Sequence, residues 1–124
     1  MAPPKDRRTG GFLRVALVQR CRMELDSGPP RTAFLVNISV LGAYVAEDAQ
    51  PPLGARGHCV FCMPGNDLEI RLPCVIAWAN PRQQHPIHSL PPGYGIRFVS
   101  LTAASQERIE AYVAEQVGRG RPAD

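Results

Sequence analysis

The sequence predicts a mainly β protein, a barrel or sandwich of six short strands followed by one C-terminal helix. Its 124 residues fit a single domain. Its 13 prolines and 11 glycines interrupt the chain too often for long helices. Short apolar segments recur between turn signals, a pattern typical of all-β folds. No internal repeat or second domain is recognisable.

Each strand is indicated by alternation or by β-forming residues between turn signals. In the first, Val15 and Leu17 fall on one face and Arg14 on the other. The six predicted strands are residues 12–25, 32–38, 43–46, 57–63, 68–78 and 94–99. Within the fifth, Pro73 predicts a bulge or an edge position, because proline cannot donate a ladder hydrogen bond.

A helical spacing replaces the alternation after the last strand. The predicted helix presents one stripe formed by Ile109, Tyr112, Val113, Gln116 and Val117, of which only Gln116 is not apolar. Thr102 or Ser105 can cap its start, and Gly118 can end it. Since one helix cannot bury its stripe alone, we expect it to pack over an open end of the barrel.

Basic residues are concentrated in the N-terminal third of the chain. Residues 1–31 contain seven Lys or Arg and three acidic residues, and the rest contains seven and eight. Such a patch attracts phosphates but is too small to predict binding to DNA or RNA. We expect residues 1–11 to form a flexible basic arm, residues 12–118 the folded unit, and residues 119–124 a disordered tail.

The sequence also argues against several classes of protein. No apolar run could span a bilayer, and the N-terminus leads into charge, so we expect a cytoplasmic protein without membrane insertion. Its four cysteines are then expected to be reduced. We predict that it is not an enzyme, because there is no nucleophile elbow and Gly93-Tyr94-Gly95 is a lone GxG without a following helix.

A CxxC motif raises the alternative of a zinc-binding or redox protein. It comprises Cys59 and Cys62, with Cys74, His85 and His88 nearby in sequence. The motif has the composition of a strand, in which residues three apart point to opposite faces. We therefore favour core cysteines, solvated histidines and no metal.

The segment Asn37-Ile38-Ser39-Val40-Leu41-Gly42 is the most informative motif. The Asn37 amide offers a donor and an acceptor, and Ser39 adds a hydroxyl on the same side of the strand end. Together they can pair with the edge of a guanine. Gly42 is expected to supply the positive φ of a tight turn. Ordinary turn chemistry explains the same three residue types.

The order of the motifs along the chain resembles the PilZ family. That family combines an N/D-x-S-x-x-G motif, a strand ending in V-x-W, and a G-x-G-x-x-F strand that leads into a helix. The matching segments are 37–42, 75–78 and 93–98, downstream of a strand that begins at Arg14-Val15. The resemblance covers about residues 12–117. It implies a six-stranded antiparallel PilZ-type β-barrel with a C-terminal α-helix.

The resemblance also implies a ligand, cyclic di-GMP, which PilZ domains bind through this motif and an upstream RxxxR. Arg14 matches the second arginine, and Asn37, Ser39 and Gly42 complete the site. Guanidinium groups suit phosphates and stack on purines. The arginine motif is altered, because Gly10 stands four residues before Arg14.

The altered arginine motif leaves two arginines of the arm as candidates. A looped-out arm would deliver Arg8, with Arg7 as a further candidate. The resemblance then implies a receptor that acts through an unidentified protein partner in motility or another surface behaviour. The alternative is a PilZ-like adaptor that does not bind nucleotide and uses the loop at 79–92 for protein interaction. No cofactor is expected beyond the regulatory ligand.

Overall fold

Six antiparallel strands form a closed barrel, followed by one helix, in the computed structural model, which describes residues 13–81 and 90–120. The elements are β1 (Val15–Leu25), β2 (Arg31–Ile38), β3 (Gly42–Ala46), β4 (Arg56–Cys62), β5 (Glu69–Asn80), β6 (Gly93–Phe98) and α1 (Ala103–Gly118). Around the barrel the order is β1-β2-β3-β6-β5-β4. The predicted barrel with a C-terminal helix is confirmed, and each strand lies close to its predicted limits.

Irregularities in strand pairing bend the sheet so that it closes. The β1–β2 register shifts between Ala16 and Gln19, where Val18 is 79% exposed. The β2–β3 register shifts between Leu35 and Asn37. Such bulges bend a strand and increase its twist, which a small closed barrel requires.

The core fills the barrel interior and extends under the helix. All six strands contribute alternate side chains to it, for example Val15, Leu35, Val45, Cys59, Leu72 and Ile96. Ile109 and Val113 of α1 are 0% and 1% exposed and belong to the same cluster. Val117 is 38% exposed, so the buried stripe of the helix ends before it.

Helix α1 begins and ends as predicted. The Thr102 hydroxyl oxygen accepts a hydrogen bond from the Ser105 backbone N–H at 3.1 Å, which caps the start, and the last helical residue is Gly118. Tyr112 donates to the carbonyl of Ala16 at 2.9 Å and so ties α1 to β1. Nowhere in 13–81 or 90–120 is a helix long and apolar enough to cross a bilayer.

The predicted bulge at Pro73 is wrong, whereas the alternative of an edge position is consistent with the pairing of β5. Pro73 pairs with His58 within an uninterrupted β4–β5 register, and its carbonyl accepts a hydrogen bond from the Val99 N–H at 2.9 Å. The shift in β5 lies instead between Ile76 and Trp78, on the β6 side. On that side β6 pairs with β5 only from Cys74 onward, so Pro73 stands at the end of the ladder, a position that tolerates a residue without an N–H.

Candidate ligand-binding site

A row of side chains crosses four strands on the outer face of the barrel. Asn37 pairs with Tyr44, Tyr44 with Gly95, and Gly95 with Trp78. The residue after Asn37, Ile38, belongs to the core cluster. Because neighbouring side chains in a strand point to opposite faces, the row faces outward.

Arg14 reaches this row from the end of β1. Its Nη1 donates to Asn37 Oδ1 at 2.7 Å, across a separation of 23 residues in sequence. Ala16 lies directly opposite Asn37, and its small side chain leaves a diagonal path for the arginine. Burial lowers the pKa of Arg14 from 12.5, yet the guanidinium remains charged at neutral pH. A cation therefore lies against the amide of the Asn-x-Ser motif.

Ser39 is engaged inside the turn that follows β2. Its hydroxyl oxygen accepts from the Leu41 N–H at 3.1 Å, and its backbone N–H donates to the Gly42 carbonyl at 2.8 Å. The side chain is buried, since the residue is only 1% exposed. In this state the hydroxyl shapes the turn, and its predicted contact with a ligand stays a prediction.

Gly42 is required for a different reason from the predicted one. The expected positive φ is wrong, because Gly42 is a regular residue at the start of β3 and is not among the glycines with positive φ. A Cβ at this position would overlap the carbonyl oxygen of Ile96 in β6. Glycine is needed there because β3 and β6 approach closely.

Two aromatic side chains cover the middle of the row. The rings of Tyr44 and Trp78 lie 5.4 Å apart between centroids, with 38° between their planes. The Tyr44 hydroxyl donates to the Pro91 carbonyl at 2.6 Å and accepts from Asn80 Nδ2 at 3.0 Å. Burial raises the pKa of Tyr44, so its hydroxyl is protonated at neutral pH. The Trp78 indole lies over Gly95 and is 37% exposed.

Arg97 is a further cation on this face that the sequence did not single out. It pairs with Gly42 across β3 and β6, two residues beyond Gly95, and therefore points outward with it. It is exposed, and no ion pair involving it occurs in the part of the chain that the structure describes. Only the strand register places Arg97, Tyr44 and Trp78 on the same face as Asn37, so no sequence signal could have grouped them.

The CxxC motif divides between the two faces of β4, as expected for a strand. Cys59 is 0% exposed and belongs to the core cluster, whereas Cys62 is partly exposed and does not. A hydrogen bond with Cys21, together with burial, raises the pKa of Cys59. Burial raises the pKa of Cys74 to about 12. The described ranges contain no group of three His, Cys, Asp or Glu that could hold a metal ion.

Several predicted features lie outside the described residues. They are the basic arm with Arg7 and Arg8, the centre of the 79–92 loop with His85 and His88, and the end of the tail at 121–124. Of the predicted ligand-binding residues, the structure therefore describes Arg14, Asn37, Ser39 and Gly42. It brings Arg14 and Asn37 into contact, and it places Ser39 in the turn after β2 and Gly42 at the start of β3.

The fold is a small closed antiparallel β-barrel with a C-terminal helix, and its outer face carries the cluster around Asn37. The sequence model of the PilZ domain matches residues 6–115, and the chain therefore belongs to the PilZ domain family. Members of this family are generally receptors for cyclic di-GMP.

A solved structure supports the fold. The crystal structure of the PilZ domain of CeSA from a cellulose-synthesizing bacterium matches with a TM-score of 0.53 and 18% sequence identity. The match covers 85% of this chain and 97% of that one. At this identity the likeness concerns the fold alone. Comparison with curated proteins gave no match.

Proposed function

We propose that this protein is a cyclic di-GMP receptor whose site combines Arg14, Asn37, Ser39 and Gly42 with Arg8 of the arm, Arg7 being a further candidate. The observation that carries the proposal is the 2.7 Å hydrogen bond between Arg14 and Asn37. It joins the arginine just before β1 to the Asn-x-Ser motif, so a group that can bind phosphate lies beside groups that can pair with a base.

The chemistry of the outer face suits a ligand with two phosphates and two guanines. Arg14 can bind a phosphate and stack on a base. Asn37 offers hydrogen bonds to a guanine edge. The Trp78 indole, which is 37% exposed and packs against the buried Tyr44 ring, supplies an apolar surface on the same face. Arg97, exposed on the same face, is a second phosphate contact in this proposal.

The altered arginine motif affects affinity more than specificity. Arg8 stands six residues before Arg14, so the intervening segment must become ordered for Arg8 to reach the ligand. Ordering costs about 1–2 kcal/mol per residue in backbone entropy. We therefore expect tighter binding when two residues between Arg8 and Arg14 are deleted, by at least about tenfold if both residues are ordered in the complex.

We propose that the output passes through a protein partner in the cytoplasm. Ligand binding would order the arm across the outer face and so create or hide a partner surface. The process would be motility, pilus function, exopolysaccharide production or a similar surface behaviour. These assignments rest on family membership.

Calorimetric titration of the full chain with cyclic di-GMP tests the proposal. We expect micromolar or tighter binding that Arg14→Ala and Asn37→Ala abolish. Arg119→Ala is the matched control, because Arg119 lies just beyond α1 in an exposed ion pair with Glu115. Absence of heat, with unchanged NMR signals from residues 1–14, would refute receptor function.

That outcome would support a second candidate, a PilZ-like adaptor that binds protein and not nucleotide. One observation favours it: polar groups of the site are already paired within the protein. Arg14 bonds to Asn37, and the Ser39 hydroxyl holds its own turn. A ligand must offer better partners than these contacts in order to bind.

A further inference from the structure

We propose that the outer face of β1 and β2 docks on the surface of an anionic lipid membrane. The docking surface, called the β1–β2 strip below, consists of Val18, Arg20, Phe34 and Val36. The protein would lie on the lipid headgroups without crossing the bilayer. This inference goes beyond the proposed receptor function and does not depend on it.

The β1–β2 strip is an apolar area on a side of the sheet that faces water. Val18 is 79% exposed and Phe34 is 46% exposed. Phe34 points outward because its neighbours Ala33 and Leu35 belong to the core cluster. Among the strand residues that the structure describes, the large apolar side chains that are exposed are Val18, Phe34 and Trp78. Two of these three thus lie on adjacent strands.

Irregular pairing brings the apolar side chains of the β1–β2 strip together. The β1–β2 register shifts within residues 16–19, which places Leu17 and Val18 opposite Val36. Leu17 belongs to the core cluster, whereas Val18 turns to the outside. A bulge of this kind re-aims a side chain. Val18 therefore projects from the sheet beside the partly exposed Val36, which is the next outward position after Phe34.

A cation lies at one end of the β1–β2 strip. Arg20 pairs with Phe34 across the two strands, and its guanidinium carbon lies 5.8 Å from the centre of the phenyl ring. Arg20 is exposed, and in the described part of the chain it takes part in no ion pair. By contrast, the carboxylate of Glu24, farther along β1, is engaged by Arg22 and Arg71. The free charge beside the apolar side chains is therefore positive.

The sequence concentrates further positive charge next to the β1–β2 strip. Residues 1–20 contain five Lys or Arg and one acidic residue, whereas the rest of the chain contains nine and ten. The chain enters the barrel at Arg14, whose partner Asn37 pairs with Ala16, two residues before Val18. Each Lys or Arg close to an anionic membrane strengthens adsorption by about fivefold. The charge excess therefore favours an anionic membrane strongly over a neutral one.

The combination of exposed apolar side chains with cations favours a lipid surface over other partners. Nucleic acid would bind the arginines but would leave Val18 and Phe34 in water. A second copy packed on the same strip in a twofold arrangement would bring like charges together, because Arg20 lies at one end and Arg14 near the other. At a membrane, apolar side chains enter the headgroup region while guanidinium groups contact phosphates.

Co-sedimentation of the full chain with vesicles tests the proposal. The probes are vesicles of phosphatidylcholine alone and of phosphatidylcholine with about one third phosphatidylglycerol, both without cyclic di-GMP. We expect binding to the anionic vesicles to be at least about tenfold stronger than to the neutral ones. It should fall when salt is raised from about 0.05 M to about 0.5 M. Equal binding to both kinds of vesicle, or binding to neither, would overturn the proposal.

Variants separate the β1–β2 strip from the overall charge of the chain. Val18→Ser and Phe34→Ser should each weaken binding to anionic vesicles by about fivefold or more, because each removes apolar surface that enters the headgroup region. Arg20→Ser should weaken it by about fivefold. The matched controls are Leu53→Ser, at a 63% exposed loop residue, and Arg56→Ser, at an exposed residue that begins β4. Both controls should bind within about twofold of the unmodified protein.

Two other results would also overturn the proposal. If Val18→Ser and Phe34→Ser bind like the unmodified protein and only Arg20→Ser binds more weakly, the contact is one of charge alone. If ultracentrifugation without vesicles shows association that Phe34→Ser abolishes, the strip is an interface between copies of this chain. Far-UV circular dichroism confirms that each variant is folded, and the 79% exposure of Val18 means that its replacement does not open the core.

Discussion

Gly95→Ala is expected to displace the Trp78 indole and destabilise the barrel. A Cβ at position 95 would overlap Nε1 and two ring carbons of Trp78. The backbone of β6 cannot withdraw, because it is paired with β3 on one side and β5 on the other. The indole must therefore rotate away from Gly95 and from the ring of Tyr44.

The magnitude follows from the apolar area that becomes exposed and from the separation of the two aromatic rings. Trp78 is 37% exposed, and a large aromatic side chain in a fold buries about 150–250 Å². If the rotation uncovers about half of the buried indole, about 80 Å² of apolar surface becomes exposed. This exposure costs about 2 kcal/mol at about 25 cal/mol per Å². Separating the indole from the Tyr44 ring adds about 1 kcal/mol. Alanine is favoured over glycine within a strand by about 0.5–1 kcal/mol, because glycine loses more conformational freedom on folding. This gain offsets part of the cost and leaves a net destabilisation of about 2 kcal/mol.

Urea unfolding followed by circular dichroism measures this destabilisation, and fluorescence reports the cause. Trp78 is the only tryptophan, so native emission should shift to longer wavelength in Gly95→Ala. Gly118→Ala is the matched control, because a Cβ there meets nothing within 4 Å. Gly42→Ala should cost more than Gly95→Ala, because its Cβ would overlap backbone, which cannot rotate away.

A Gly95→Ala protein whose unfolding free energy lies within about 0.5 kcal/mol of the wild-type value would contradict this prediction. Unchanged Trp78 fluorescence emission would contradict the prediction independently of the unfolding measurement. Such a result would mean that the indole does not lie on Gly95 in solution, and the apolar part of the proposed site would lose its basis.

Three other predictions concern the stability of the fold. Thr102→Ala should lower the unfolding free energy by about 1 kcal/mol through loss of the N-cap, and an unchanged urea midpoint would contradict the cap. Tyr94→Phe removes a 2.6 Å hydrogen bond to the largely buried carboxylate of Glu47 and should cost about 1.5–3 kcal/mol in the same assay; a smaller cost would argue against the bond. Burial raises the pKa of Cys74 from 9.0 to about 12, so below pH 9 both states keep the proton, and above it only the unfolded chain releases it. Stability should therefore fall as pH rises from 9 to 12, by up to about 1.4 kcal/mol per pH unit for this thiol, and Cys74→Val should flatten the slope measured from about pH 8 to pH 11. An identical slope in the variant would exclude Cys74 as its source.

Local patterns in the sequence were sufficient to predict the strands, the helix and its cap. Alternation in 15–25, the turn residues around 64–67 and the helical spacing of Ile109 and Val113 each reflect short-range geometry. The placement of Cys59 and Cys62 on opposite faces also followed from strand geometry alone. The motif order then identified the family without any knowledge of how the strands pair.

The roles of individual glycines and prolines could not be predicted from local patterns. The expectations of a positive φ at Gly42 and of a bulge at Pro73 were wrong because each depends on the neighbouring strand. Close approach of β6 demands the glycine, and β4 pairs with β5 in an unbroken register through the proline. Both constraints come from strands distant in sequence.

The sequence by itself determined which elements form, which faces are apolar, and which short motif offers hydrogen-bonding groups. Tertiary structure alone decided what stands beside that motif. Closure in the order β1-β2-β3-β6-β5-β4 places Arg14 and Tyr44 beside Asn37, and it places Trp78 against Tyr44 on the same face. The physical reason is that strand pairing sets distances between residues far apart in sequence, and those distances decide which side chains act together.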